Sequence, residues 1–281
     1  MILSPNYDGP PILSIPGDPS DQLVPVVRQR RRLEAMLVDL QPAQWAAASR
    51  CAGWTVRDVV AHLVGVNSFW NGSVQAGVAG TPTRFLANFD PAATPPLMVN
   101  SMSALSTAQI LEQFKASNDA LLTTIAALDD DQWGMLAEAP PGHVPIRLVA
   151  HHALWDCWVH ERDIAIPLGI VAHEESDEVL SCLRYSAALS PALAASWNRP
   201  SEGRYVVEAT DPGCNFTLHV DQTVAVQEGG QAVNGPRLCG RAVDLVEALS
   251  MRIPLSIDTP TPWRDLLAGI AMAFDAARLK V

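Results

Sequence analysis

Apolar residues recur at helical spacing through the first two thirds of the chain and change to alternation after about residue 200. Leu33, Met36, Leu37 and Leu40 predict a helix over about 21–40. Thr55 with Asp58 three residues on forms a capping box, flanked by Trp54 and Val59 as a hydrophobic staple. Val59, Leu63, Val66 and Trp70 carry that second helix to about 77. Residues 78–104, rich in Pro, Gly, Ala and Asn, read as a long loop. Ser106, boxed by Gln109, opens a third helix to about Leu128. A fourth starts near Pro145 and stops before Pro167 and Gly169. A fifth, over 176–198, opens with Ser176, Asp177 and Glu178.

Two segments echo each other: LQPAQW before VVAHL (40–63), and LDDDQW before LVAHH (128–152). The echo suggests two helical hairpins paired in a four-helix bundle. Beyond residue 200, alternation over 204–209, 214–220 and 223–227 predicts strands, and helical spacing returns over 240–252 and 262–279. The expected fold is therefore α+β: a loose arm over 1–20, a helical bundle over 21–172, a connecting helix over 173–200 and a small α/β unit over 201–281.

The chain has 281 residues, enough for two domains, with 48 % hydrophobic residues and a net charge of −11. That balance argues against a nucleic-acid partner, which needs clustered Lys and Arg. Residues 1–20 show no secretory signal and no stretch is long enough to span a membrane, so a cytoplasmic location is expected. Five widely spaced cysteines, without a Cys-x-x-Cys pair, suggest reduced thiols rather than disulfides. Arg28, Arg30, Arg31 and Arg32 form a basic run on the first helix, read as a solvated face or a docking patch for an acidic ligand.

Of seven histidines, His62 points to the bundle core, within about 60° of Val59 and Val66 at roughly 100° per residue. Val149, Ala153, Asp156 and His160 share one stripe of the fourth helix, flanked by His152 and Asp163. An inward carboxylate needs a partner. Asp156 and His160, four apart, can grip one ion with His62 as the third ligand. The alternatives at this level are a plain Asp156–His160 pair, or Asp156 bridging to Arg162 or Arg147.

CAGWTVRDVVAHL (51–63) and WDCWVHERDI (155–164) resemble the signatures of the mycothiol-dependent maleylpyruvate isomerase family, within the wider DinB/YfiT-like metal-binding bundles. Leu40 and Trp45 fit the family spacing ahead of the first motif. LCGRAVDLVEALSMR (238–252) is similar to the sterol-carrier-like domain that often follows this bundle. The resemblance implies a divalent metal, zinc foremost, held by His62, Asp156 and His160, and mycothiol as thiol co-substrate. It implies an isomerase or transferase acting on a small molecule. Arg252 would clamp a substrate carboxylate, or be a surface or capping arginine at a helix end. Asp163 would orient a ligand or simply cap or pair on its helix, and His152 would be a fourth ligand or a base. Many members carry Glu where Asp156 stands, and the 78–104 loop is not matched by the resemblance; both leave the substrate open. Two other readings stand beside this one. The first is a Lewis-acid enzyme that uses no thiol. The second is a binding protein whose metal is purely structural, closed by four protein ligands.

Overall fold

The computed structural model describes residues 2–198, 201–229, 234–267 and 269–270. A short strand, β1 (Leu13–Ser14), precedes α1 (Leu23–Asp39), the brief α2 (Pro42–Trp45) and the long α3 (Val56–Val78). α4 (Thr94–Ser101), α5 (Thr107–Ala126) and α6 (Asp130–Trp133) follow. A hairpin of β2 (Leu136–Ala139) and β3 (Gly142–Pro145) feeds α7 (Ile146–Ala165), and α8 (Ser176–Ser196) leads out of the helical part. Then come β4 (Gly203–Thr210), β5 (Cys214–Val220), β6 (Val224–Glu228), β7 (Arg237–Arg241), α9 (Ala242–Leu249) and α10 (Thr261–Leu266).

Local chemistry starts the helices where the sequence places them. The Thr55 hydroxyl accepts the Asp58 N–H, and the Asp58 carboxylate accepts the Thr55 N–H at 3.0 Å. Ser106 and Gln109 do the same for α5. α1 and α3 each pack on both α5 and α7. α7 is buried on every side. α8 lies along α7 on one face and against α9, β5 and β6 on the other.

The sheet runs β1-β6-β5-β4-β7, antiparallel in its centre and parallel at both edges. One apolar cluster passes from Val26, Trp70 and Trp158 through Leu183 and Leu189 to Phe216, Leu218 and Leu238. The bundle and the sheet thus share a core, and the helix expected as a connector is its middle layer. Among the described residues, no helix is long and apolar enough to cross a membrane.

Several expectations need correction. Residues 2–20 are not loose: Leu3, Ile12, Leu13 and Ile15 are buried, and Leu13–Ser14 pair with Val224–Ala225. The Pro and Gly residues between them block a helix but not burial. The 78–104 stretch holds a 3-10 turn over Phe85–Asn88 and all of α4, whose first turn accepts proline. The arginine run is a solvated face only in part, at Arg28 and Arg31. Arg28 pairs with Asp177 and Glu178, Arg31 with Glu34 and Asp119, and Arg32 with Glu161 and Glu178, while Arg30 is wholly buried. Over 240–252 the chain spends its first two residues finishing β7 before α9 begins. The expected helix over 262–279 appears as α10, and its part beyond 270 lies outside the described residues.

The N-terminal arm is fastened at Glu138, a fully buried carboxylate. It accepts the Tyr7 hydroxyl at 2.5 Å, the Thr83 hydroxyl at 2.5 Å, and the N–H groups of Phe85 at 2.9 Å and Leu86 at 2.7 Å. Burial and the neighbouring carboxylate push the Tyr7 phenol well above its ordinary range. Gly142 has φ +132°, and a Cβ there would fall 2.0 Å from the Asn6 carbonyl oxygen, so only glycine lets the arm pass. We expect Glu138→Ala to strand four donors and lower unfolding free energy by about 3 kcal/mol. Urea denaturation measures the loss, and limited proteolysis should show the first fifteen or so residues newly cleaved while helical circular dichroism is kept. Unchanged stability would remove this role for Glu138.

Candidate metal centre

His62 follows Val59 and Val60 in the buried face of α3, and Asp156 and His160 sit one turn apart on α7. The packing of α3 on α7 brings the three together. One ligand atom from each lies within 4.8 Å of the other two. The rings of His62 and His160 are 4.9 Å apart, nearly edge to face. His62 Nδ1 and Asp156 Oδ2 are buried and have no hydrogen-bond partner. Two orphaned polar atoms from different helices, in one cluster, require an explanation. A divalent cation supplies one, because two imidazoles and a carboxylate form a zinc-type ligand set with positions left over.

A plain Asp156–His160 pair explains less. Asp156 Oδ1 is 3.6 Å from His160 Nε2, too long for a hydrogen bond. Bridging to Arg162 or Arg147 does not occur: Arg162 donates to Glu247 at 2.6 Å, and Arg147 holds Asp21 at 2.9 Å.

The other His160 nitrogen, Nδ1, is 3.0 Å from Asp163 Oδ2. This is the backing that fixes the orientation of a ligating imidazole. Asp163 is fully buried. It accepts from Arg252 Nε at 2.9 Å and Nη2 at 2.8 Å, from Arg50 Nε at 3.0 Å and from the Cys51 thiol at 3.2 Å. Burial works against its ionisation, but His160 and Arg252 hold its carboxyl far below the usual carboxylate range. Burial lowers His160 as well, and its contacts with Asp163 and Cys51 outweigh that and bring it up to about 10. His62 is pushed down to about 4, by burial first and by His160 second. Burial would raise Asp156, but the charges of His160 and His62 hold it below its ordinary value.

Cys51, His160 and Asp163 form a second cluster of possible ligand atoms within 4.8 Å. Its carboxylate already carries two guanidinium groups, so it offers little free donor capacity. His152 does not join the first cluster. Its Nδ1 meets the Tyr185 hydroxyl at 2.6 Å, with Trp70, Trp155 and Tyr185 around the ring. Among the described residues, the ligand atoms that gather within 4.8 Å at this cluster come from His62, Asp156 and His160 alone.

Arg252 reaches the site from the end of α9. The Arg252 N–H donates to Glu247 O at 2.8 Å and the Met251 N–H to Ala248 O at 3.0 Å, with Met251 left-handed at φ 62°. This is a Schellman ending with methionine where glycine is usual. It turns Arg252 back onto Asp163. Ser250 accepts the Trp155 indole N–H at 2.8 Å beside it. Glu247 takes Arg50 at 2.7 Å. Sequence reasoning passed over Arg50, Cys51 and Glu247. Arg50 and Cys51 adjoin the capping box of α3, and only that proximity signalled them.

Residues 26–165 match the family model described as the mycothiol maleylpyruvate isomerase N-terminal domain. A crystal structure of the mycothiol-dependent maleylpyruvate isomerase shares the fold, with TM-score 0.60 and 16 % identity over 87 % of this chain and 96 % of that one. A mutant of that enzyme gives TM-score 0.62 at 15 % identity over the same shares. An uncharacterized protein from two strains of Mycobacterium tuberculosis is 24 % identical over 156 residues, 55 % of this chain. The match spans 59 % of the length of those relatives. The α+β fold is thus shared with a solved isomerase. Through residues 26–165, which hold His62, Asp156 and His160, this chain belongs to the mycothiol maleylpyruvate isomerase N-terminal domain family.

Proposed function

We propose that this chain is an enzyme that holds a divalent cation, zinc by its donor set, in His62, Asp156 and His160. It would activate a low-molecular-weight thiol of the mycothiol kind for cis–trans isomerisation, or for S-transfer, on a small acidic substrate. The observation that carries the reading is the pair of buried, partnerless atoms, His62 Nδ1 and Asp156 Oδ2, in one cluster with His160. The ion would supply the positive charge that turns an incoming thiol into a thiolate, able to add to an activated double bond and leave after rotation.

The chain's own residues supply the rest. Asp163 fixes the His160 ring, so that its Nε2 faces Asp156 and His62. Arg50 and Arg252 keep Asp163 ionised and in place. His62 stays neutral above about pH 4, as a ligand must, whereas His160, brought up to about 10, has to give up a proton to serve as one. Asp156 is one methylene shorter than the glutamate that the resemblance leads one to expect, so its carboxylate reaches less far from α7. Arg252 has its Nε and one Nη2 hydrogen committed to Asp163, and one from Nη1 to Ser250 O at 3.2 Å. Its side chain remains 25 % exposed, and it is the cation of the site best placed to meet a substrate carboxylate. Because His152 is not among the side chains whose ligand atoms gather within 4.8 Å, room is left for an exogenous ligand, which favours catalysis over a structural metal.

Elemental analysis of the purified protein should show near-stoichiometric divalent metal, lost in His62→Ala and in His160→Ala. A full metal equivalent in either variant sinks the assignment. Asp163→Asn should keep the fold and weaken metal affinity by about 10–100-fold, measured by chelator competition; wild-type affinity would remove its orienting role. The metal-loaded protein should isomerise maleylpyruvate only when mycothiol is present. Arg252→Ala should lower that turnover without loss of metal. Equal turnover without thiol would favour the Lewis-acid alternative.

A further inference from the structure

Arg30 is the one arginine of the basic run that lies wholly inside the bundle. It enters from α1 and is met by neutral groups only. Nη1 donates to Asn67 Oδ1 at 2.5 Å and Asn118 Oδ1 at 3.3 Å, and Nη2 donates to the Ala153 carbonyl at 3.0 Å. Asn67 and Asn118 are themselves fully buried. Nε has no partner at all. Among the described residues no carboxylate forms an ion pair with this guanidinium, although a buried charge without one is costly. Arginine does not escape by losing its proton.

Asn118 passes the contact on to Glu34 at 3.4 Å, but that carboxylate already pairs with Arg31, and the carboxylate left with an unpartnered oxygen is Asp156. Ala153 stands three residues before Asp156 on α7, a rise of about 4.5 Å. The Arg30 charge is one of the smaller influences that lower Asp156, behind those of His160, His62 and His152. On the far side of His160 the charges balance without them: Asp163, Glu247 and Glu174 face Arg50, Arg252 and Arg162. A divalent cation bound by neutral imidazoles and Asp156, beside Arg30, leaves two positive charges uncompensated in a largely buried region.

We propose that Arg30 is a built-in counter-charge to the metal centre: it loosens the hold on a divalent cation and makes an anion the preferred exogenous ligand. The proposal rests on the metal reading above. It gives the site a reason to take a thiolate or another anion rather than a neutral molecule, because an anion offsets one of the two excess charges. It also assigns a role to a residue that touches neither ligand nor substrate. Arg30 acts through the field it places on Asp156 and on the ion, and is a positioning residue in the electrostatic sense.

The test compares zinc affinity, by chelator competition, and azide affinity of the cobalt(II)-loaded protein, by its visible spectrum. Asn67→Asp is the first variant, since it sets a carboxylate against the guanidinium at unchanged shape. Arg30→Gln removes the charge, and Arg30→Lys keeps it. The expected result is zinc bound about tenfold more tightly, or better, in Asn67→Asp and Arg30→Gln, and azide bound more weakly by a similar factor. Arg30→Lys should stay near wild type in both. A purely structural role predicts the opposite sign for zinc, since a disturbed core misplaces ligands. Zinc affinity unchanged or reduced in a folded Asn67→Asp protein overturns the proposal, and that variant decides the matter if Arg30→Gln does not fold. Wild-type protein that binds no zinc overturns the metal reading itself, an outcome distinct from failure of the variants alone.

Discussion

α7 is buried all round, yet it carries Arg147, His151, His152, Asp156, His160, Glu161, Arg162 and Asp163. Buried polar groups must be partnered, and that requirement organises the molecule. Arg147 draws in the N-terminal arm through Asp21 and the carbonyls of Ile15 and Pro16. Glu161 fixes α1 through Gln29 and Arg32. His151 and His152 fix α8 through Ser181 and Tyr185. Arg162 and Asp163 fix the end of α9. Each partner comes from a different element, so the helix acts as a hub whose charges choose its neighbours. Asp156 is the carboxylate of this set whose Oδ2 is left without a partner, and it stands where the metal cluster forms.

The same logic makes the site depend on more of the chain than the family match covers. The three candidate ligands lie within residues 26–165, but the groups that steady His160 through Asp163 include Arg252, and Arg50 is held in turn by Glu247. The C-terminal part is therefore built into the centre. The shared core that runs through α8 keeps that part in register with the bundle, and the left-handed turn at Met251 aims the guanidinium.

Much of this was legible in the chain. The capping boxes at Thr55 and Ser106 mark helix starts because they are local, and the stripes of α3 and α7 place His62, Asp156 and His160 on facing surfaces. Long-range chemistry was not legible. Arg30 and Arg32 look alike in sequence, yet one is a buried cation among amides and the other an ion-pair partner of Glu161 and Glu178. Nothing local says which residue crosses the bundle axis. Leu3 and Leu13 were hidden among Pro and Gly because burial of an extended arm has no period to detect. Arg252 was found by resemblance, while its bond to Asp163 needed the turn geometry of α9.

The pairing of Leu13–Ser14 with β6 has a consequence of its own. A sheet edge with free N–H and C=O groups is a template for another chain. On β6 the Ile12 carbonyl and the two residues after it occupy that template. The amino-terminal arm is thus edge insulation for a sheet more than two hundred residues away in sequence. Loss of the arm would leave a folded bundle beside a sticky strand, and the molecule would be prone to self-association before it was prone to unfolding.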